Sequence, residues 1–384
     1  MTAKEVINLI PQQLFEFLSV ETQVDYQVKK LTGETIFKLI LFSMLENDKL
    51  SLRVMEGFLE SAQFKQFAQK EALTSKYNSI RDRICSIDST YFERLHEAIF
   101  KIYNKELQEE NSLSKSDSTY VSIAAKLISI GMKNGRESDD KTYIKYGINL
   151  KGSLPSSVKV FTEQSFVNEN IALSELIEQT DCITENIVVF DRGLQSRKSY
   201  DKFTNDNKLF VTRTNPNVKY KVDEEKEITP VPQGSSITIK SDTVAYLYGK
   251  KSNKTKCRYR IIRGIINSSG EEIVFVSNLL DKEAYFIAQL YKQRWEIEVF
   301  FKYIKQHLNA SHLVSRQENG IKVMIYMTMI LASLIIVYKK KNNMKGFKIA
   351  KLKFGIELEN EIIKSIVLLC GGNPDKAVHL FGYD

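Results

Sequence analysis

Residues 284–308 read AYFIAQLYKQRWEIEVFFKYIKQHL, with apolar side chains at three- and four-residue intervals. That spacing predicts one long amphipathic helix from about Lys282 to Leu308. At about 100° per residue, Tyr291, Arg294, Glu298, Lys302 and Lys305 share a stripe roughly 80° wide. Leu290, Ile297, Phe301, Ile304 and Leu308 form a second stripe about 90° away, the face expected to pack on a sheet. A lone carboxylate therefore sits among an aromatic hydroxyl and three cations. A solvated face laced with salt bridges has the same pattern, so the sequence around the stripe has to decide its meaning.

Upstream, strand and helix patterns alternate as in an α/β domain. TYIKYGINL, SVKVFTE, NIVVFDRG and KLFVTRT read as strands, and NIALSELIEQT and SRKSYDKFTND as helices. In NIVVFDRG an apolar strand ends in Asp191, followed by Arg192 and Gly193, so the carboxylate emerges where a turn begins. Asp also opens turns that carry no chemistry. The tripeptide Asp-Ser-Thr occurs twice. Asp88 precedes Thr90 and Glu93, which read as a capping box ahead of an amphipathic helix, whereas Asp117 lies within the α/β region. We take Asp117 as the candidate, although the LSKS before it is hardly apolar.

The interval from Asp191 to Glu298 leaves about 70 residues between Arg213 and Asp281, enough for a small β subdomain. From Thr243 to Gly270 there are seven Lys or Arg and no acid. Lys254, Lys256, Arg258 and Arg260 alternate, so on a strand all four point one way and present a row suited to a phosphate backbone. An edge strand protected by charge has the same appearance.

The pattern Tyr291-x-x-Arg294-x-x-x-Glu298-x-x-x-x-x-x-Lys305 resembles the Tyr-Arg-Glu-Lys signature of the DDE transposases of bacterial insertion sequences, in the family numbered four. The flanking SNLLD is also similar to that family, and the similarity runs from about Asp117 to Leu308, with a looser match in the N-terminal region. The resemblance implies an α/β fold built on a ribonuclease-H-like core, with a β-rich insertion at about 215–281. It makes Asp117, Asp191 and Glu298 the catalytic acids and the ligands of two Mg²⁺ ions, with Mn²⁺ as a substitute. Acidic oxygens are what two-metal phosphoryl transfer asks of a protein. Tyr291, Arg294, Lys302 and Lys305 are then expected to grip DNA, together with Arg192, Arg213, Trp295 and the basic row Lys254, Lys256, Arg258 and Arg260.

The implied activity is metal-dependent cleavage at transposon ends and strand transfer into target DNA, by cut-and-paste through a hairpin. The implied partners are double-stranded DNA, as transposon ends and target, and a second copy of the chain in the synaptic complex. The alternatives are a ribonuclease-H-like nuclease without joining activity and an inactive DNA-binding relic.

Three domains are expected: an all-α N-terminal DNA-binding domain at 1–108, the catalytic domain at 109–310, and a helical C-terminal region at 311–384. The polar stretch 104–116 reads as a linker between the first two. In the N-terminal domain, SLRVMEGFLESAQFKQFA and LTSKYNSIRDRICSI have the outline of a helix-turn-helix, with Lys76, Tyr77, Asn78, Arg81 and Arg83 on the second helix. Across its 384 residues the chain carries 55 Lys and Arg against 47 Asp and Glu, a balance of +8 that favours a polyanionic partner.

The four cysteines show no Cys-x-x-Cys spacing and the N-terminus shows no cleavable apolar signal, so a reducing cytoplasm is the expected location, which the resemblance makes a bacterial one, at the nucleoid. Val323–Tyr338 is almost wholly apolar, but at 16 residues it is short for a bilayer and is read as a buried core helix, with no membrane partner. There is no zinc-type His/Cys spacing, no Gly-x-x-x-x-Gly-Lys-Ser/Thr phosphate loop and no Gly-x-Ser-x-Gly elbow.

Overall fold

The computed structural model describes residues 1–47, 49–70, 73–109, 112–124, 130–133, 141–180, 186–249, 253–308 and 314–377. In chain order it begins with seven helices: α1 (Ala3–Asn8), α2 (Gln12–Thr22), α3 (Gly33–Glu46), α4 (Leu52–Glu60), α5 (Ala62–Ala68), α6 (Tyr77–Ser86) and α7 (Ser89–Leu107). Strands β1 (Leu113–Ala124), β2 (Lys141–Lys151) and β3 (Leu154–Phe161) follow, then α8 (Glu169–Glu178), β4 (Ile187–Phe190), α9 (Arg197–Asn205) and β5 (Leu209–Thr214). Four more strands come next: β6 (Tyr220–Glu225), β7 (Ile237–Leu247), β8 (Tyr259–Ile266) and β9 (Glu272–Ser277). The chain closes with α10 (Ala284–Lys292), α11 (Trp295–His307), α12 (Glu318–Lys341) and α13 (Phe347–Leu369).

Two compact units emerge, one joining 1–109 to 302–384 and the other comprising 110–125 and 131–301. In the first, α12 is the core: every residue from Val323 to Tyr338 is buried, and the helix packs against α7, α6, α13, α1 and α3. This helix is long and apolar enough to cross a membrane, but its apolar window is 94% buried inside the protein. Its N-terminal end is tied to the α6–α7 turn by Asn319, which donates to the Cys85 and Ile87 carbonyls and accepts from the Ser89 N–H. N-terminal and C-terminal helices thus share one core. The expected boundary at 310–311 lies outside the described residues. The linker expected at 104–116 is shorter than the polar composition suggested, because α7 runs to Leu107 and β1 begins at Leu113.

The second unit is mixed α/β. Its nine described strands form one sheet in the order β3-β2-β1-β4-β5-β9-β8-β7-β6. β1 is antiparallel to β2 and parallel to β4, and β4 is parallel to β5. All four residues of β4 are buried, as a parallel strand covered on both faces requires. Its side chains alternate accordingly: Val188 and Phe190 join a core with Leu173, Leu176, Tyr200 and Phe203 of α8 and α9, while Ile187 and Val189 join Ile287, Leu290 and Tyr291 of α10 on the opposite face.

The segment after β5 does not make a separate β body. β9 returns antiparallel to β5, and β8, β7 and β6 extend the same sheet outward from it.

Two local expectations are corrected. The helix expected from about Lys282 to Leu308 is two helices, broken at Gln293–Arg294, where the N–H groups of Gln293, Arg294, Glu296 and Ile297 reach back three residues. Such tight bonds swing the following helix off the first axis, which a wheel drawn through the whole segment could not register. The basic row does not form either, because β8 begins only at Tyr259. Arg260 is buried against Asp242, Arg258 pairs with Asp223 at 3.1 Å, and Lys254 lies over the Tyr246 ring.

Candidate active site

β1 carries Asp117 midway along a strand whose preceding residues, Ser114, Lys115 and Ser116, are all buried despite their polarity. Two of these deep polar groups have partners, while the Ser114 hydroxyl is buried without one among the described residues. Ser116 Oγ pairs with Asn149 of β2, and Lys115 Nζ donates to the Gly152 carbonyl at 2.7 Å and to Glu296 at 2.6 Å. This is why the strand looked poorly marked in sequence: side-chain partners, not apolar side chains, hold it in the sheet.

The parallel register pairs Ser116 with Phe190. Asp117 and Asp191 are the residues that follow this last pair, and Asp117 feels the Asp191 charge.

Glu298 reaches the same place through Arg294, which is buried at the break between α10 and α11. Its guanidinium pairs with Glu298 through Nη2 and lies 3.8 Å from Asp117 Oδ2 through Nη1. Its Nε is buried without a hydrogen-bond partner. Asp191 Oδ1 accepts from Arg213 Nε at 3.2 Å and from the Tyr291 hydroxyl at 3.3 Å. A fourth acid, Glu169 at the start of α8, accepts from Ser118 Oγ at 2.7 Å and from the fully buried Lys145 at 2.8 Å.

The electrostatics follow from this crowding. Burial, with the nearby charges of Glu169 and Asp191, pushes the Asp117 carboxyl up to about 6, against the opposing pull of the Ser118 N–H and Arg294. Burial also works against the charge on Asp191. There the Arg192 backbone N–H and the guanidiniums of Arg294 and Arg213 prevail and hold the carboxyl below its usual range. Burial raises the Tyr291 hydroxyl to about 12.

The other expected site residues fall in several places. Arg192 and Trp295 are exposed, Trp295 by 63%. Lys302 and Lys305 are exposed on α11 and belong to the first unit, since the division falls after Phe301. Tyr291, Arg294 and Arg213 turn inward to the acids. Asp88 caps α7 by accepting from the Thr90 N–H, so the cap is Asp88 itself and not the Thr90 pair expected from sequence. Arg83 donates to the Leu31 and Val24 carbonyls, a tie within the helical unit that takes it off an open recognition face.

Glu169, Lys145 and Ser118 escaped the sequence reading. Only the Asn168 cap ahead of α8 marks the position of Glu169 in sequence, and nothing there marks its approach to Asp117. Among the described residues no three acids, histidines or cysteines are gathered as ligands of one ion. The donor chemistry nevertheless suits a hard divalent cation. The three carboxylates are held by strand and helix backbone, and Asp117 is packed with too little positive charge for a buried anion.

The chain belongs to the transposase DDE domain family, whose model matches residues 117–335, more than half of its length. A probable transposase for insertion sequence element IS5377 from Geobacillus stearothermophilus is 25% identical over 249 residues, 64% of this chain and 62% of that protein. A putative transposase for insertion sequence element IS4SA from Synechocystis is 29% identical over 261 residues, 62% of this chain and 65% of the relative. The chain thus spans less than two thirds of the curated relatives it matches. Among solved structures, a piggyBac transposase synaptic complex with hairpin DNA is similar with a TM-score of 0.44 and 10% identity, over 95% of this chain and 82% of that one.

Proposed function

We propose that this chain is a metal-dependent DNA transposase of a bacterial insertion sequence, with Asp117, Asp191 and Glu298 as its catalytic acids. The observation that carries the reading is the parallel register of β1 and β4, which sets Asp117 beside Asp191 while Arg294 joins Glu298 to Asp117. The strand order β3-β2-β1-β4-β5, with β1 antiparallel to β2 and parallel to β4, supports a ribonuclease-H-like core, and β6–β9 are then the insertion between β5 and α10.

The three carboxylates would hold two divalent cations, Mg²⁺ or Mn²⁺, which when bound lower the pKa of an attacking water or 3′-hydroxyl and stabilise the leaving oxygen. The protein's own groups set the rest. Arg294 balances Asp117 and Glu298 before ions arrive and keeps Glu298 turned toward the strands. Tyr291 and Arg213 fix the Asp191 carboxylate in one orientation. Within the unit that holds the acids, Arg192 and Trp295 are the exposed candidates for gripping DNA beside the scissile phosphate, Trp295 by stacking on a base or sugar, while Lys302 and Lys305 would be DNA contacts of the helical unit.

Cut-and-paste through a hairpin, followed by strand transfer, is the pathway proposed. A homodimer holding two transposon ends follows from the need to synapse them. The helices of residues 1–108 would bind those ends, 109–310 would do the chemistry, and the product would form at the nucleoid in the cytoplasm.

The test is Mg²⁺-dependent nicking and joining on duplexes carrying the element's own ends, with binding followed in parallel. Nicking and joining that both disappear in Asp117→Asn and Asp191→Asn support the assignment. Wild-type binding with no nicking in Mg²⁺ or Mn²⁺ points to a relic, and nicking without joining to a simple nuclease.

A further inference from the structure

The second unit carries a groove, bordered by cations, that the three acids do not line. A hollow of about 830 Å³ opens between the first turns of α8 and α9 and the β7–β8 connection. A second, of about 500 Å³, lies against the β5–β6 connection. The two hollows adjoin and share Gln195, Arg197, Tyr248 and Gly249, with Arg197 as their common wall. Gln195 ties this groove to the catalytic turn: its side chain donates to the carbonyls of Arg192 and Arg213, the neighbours in sequence and in space of Asp191.

The charge of the groove is one-sided. Arg197, Lys198, Lys254 and Lys256 line the first hollow and Lys219 the second, and the four lysines are exposed. The one acid lining it among the described residues is Asp201, and that carboxylate is already used. It accepts from the N–H groups of Lys256 and Cys257 and from the Tyr259 hydroxyl. Arg197 is held over the Tyr200 ring at 5.3 Å, with Nε 3.5 Å from the Tyr248 carbonyl, and its Nη1 is buried without a hydrogen-bond partner among the described residues. A buried donor left unsatisfied is destabilising, and an anionic ligand would supply the acceptor.

We infer that this groove carries the phosphodiester backbone of duplex DNA toward the Asp191 turn, with Arg197 and Lys198 as its central contacts. The inference rests on the proposed function and adds to it a specific path for the substrate. A repeating anion fits better than a single one, because the cations are spread along two joined hollows and not focused on one point. It also separates the groove from the basic row expected in sequence. Lys254 and Lys256 belong to the groove, whereas Arg258 is paired with Asp223 and Arg260 is buried.

The experiment uses the full chain without divalent metal and a fluorescein-labelled duplex of random sequence, with affinity measured by anisotropy between 50 and 200 mM salt. Each lost phosphate contact lowers the log–log salt slope by about 0.9. The double variant Lys198→Glu/Lys256→Glu is expected to lower the slope by about 2 and weaken binding at least about tenfold. Lys198→Gln/Lys256→Gln should give the same slope with a smaller loss of affinity. Melting curves check that the exposed substitutions leave the fold intact. Arg258→Glu, outside the groove, should lower the slope by less than half as much. An unchanged slope in both groove variants, while wild type still binds and nicks DNA, overturns the groove and leaves the proposed function standing. An equal loss in Arg258→Glu also overturns it, since the effect would then be one of net charge. Failure of the wild type to bind any duplex removes the proposed function and the groove together.

Discussion

Two arginines in the same α/β unit are buried against carboxylates, and they are built in opposite ways. Arg260 of β8 forms a bidentate pair with Asp242 of β7, and its remaining donor reaches the Leu280 and Lys282 carbonyls at 2.6 and 2.8 Å. Both members are almost inaccessible to water, one charge meets one charge, and every nitrogen has a partner. Arg294 instead serves two acids, Asp117 and Glu298, with Asp191 and Glu169 close enough to be felt, and its Nε has no partner. The saturated pair can only hold the sheet together. The unsaturated cluster crowds several carboxylates around one guanidinium, the arrangement in which the proposed metal ligands would be held.

The sharpest test of that contrast applies the same charge removal to both places. Glu298→Gln should reduce nicking by about a thousandfold or more, the equivalent of about 4 kcal/mol of transition-state stabilisation, while leaving DNA binding and the melting temperature near wild type. Asp242→Asn should do the reverse, costing about 3–5 kcal/mol in denaturant titrations because it strands a buried guanidinium. If Glu298→Gln destabilises as much as Asp242→Asn, the two clusters are the same kind of structure and the contrast is broken.

A second test replaces the saturated pair altogether. Arg260→Met/Asp242→Leu should recover most of the stability lost by Asp242→Asn, since an apolar pair of similar volume is close to neutral. Arg294→Met should cost less than half as much as Asp242→Asn, because the acids it leaves behind are still partly open to water.

The pH dependence of Asp117 separates the clusters further. With a native value of about 6 against about 3.9 when unfolded, the native state binds the proton more tightly, so the Asp117 contribution falls as pH rises from about 4 to 6. Without divalent metal, Asp117→Asn should therefore stabilise the protein at pH 7.5 by up to about 3 kcal/mol and have no effect near pH 4. Denaturant titrations at the two pH values read the difference, and an equal effect at both would exclude burial of the charge as its cause.

The smallest effect is expected outside both clusters. Trp295→Ala should leave melting unchanged, because the ring is exposed, and weaken binding to a transposon end by about 1–3 kcal/mol if the indole stacks on a base. Anisotropy on a cognate end duplex measures it.

The elements nearest the site differ in how openly the sequence announces them. IVVF before Asp191 is an unbroken apolar run with one structural meaning, and the alternation of strands and helices from 142 to 214 followed from local pattern alone. β1 was hidden because Lys115 and Ser116 are polar residues buried by virtue of partners elsewhere in the unit. The break at Arg294 was hidden because nothing in QRWEIE forbids a continuous helix. The helix turns there and Arg294 lies against Asp117 and Glu298, while the N–H groups of four residues tighten to three-residue bonds.

By itself, the sequence determined that an α/β region follows a helical one, that Asp191 ends a buried strand, and that a carboxylate lies among cations in the segment after the last strand. Those features depend on side-chain period and on neighbours within a few residues. Tertiary structure alone decided that β6–β9 extend the core sheet, that Arg260 is walled in while Lys254 and Lys256 line a groove, and that the strand ahead of Asp117 runs beside the strand ahead of Asp191. Each of these is a matter of which strand lies next to which, and the free energy of that pairing comes from residues far apart in the chain.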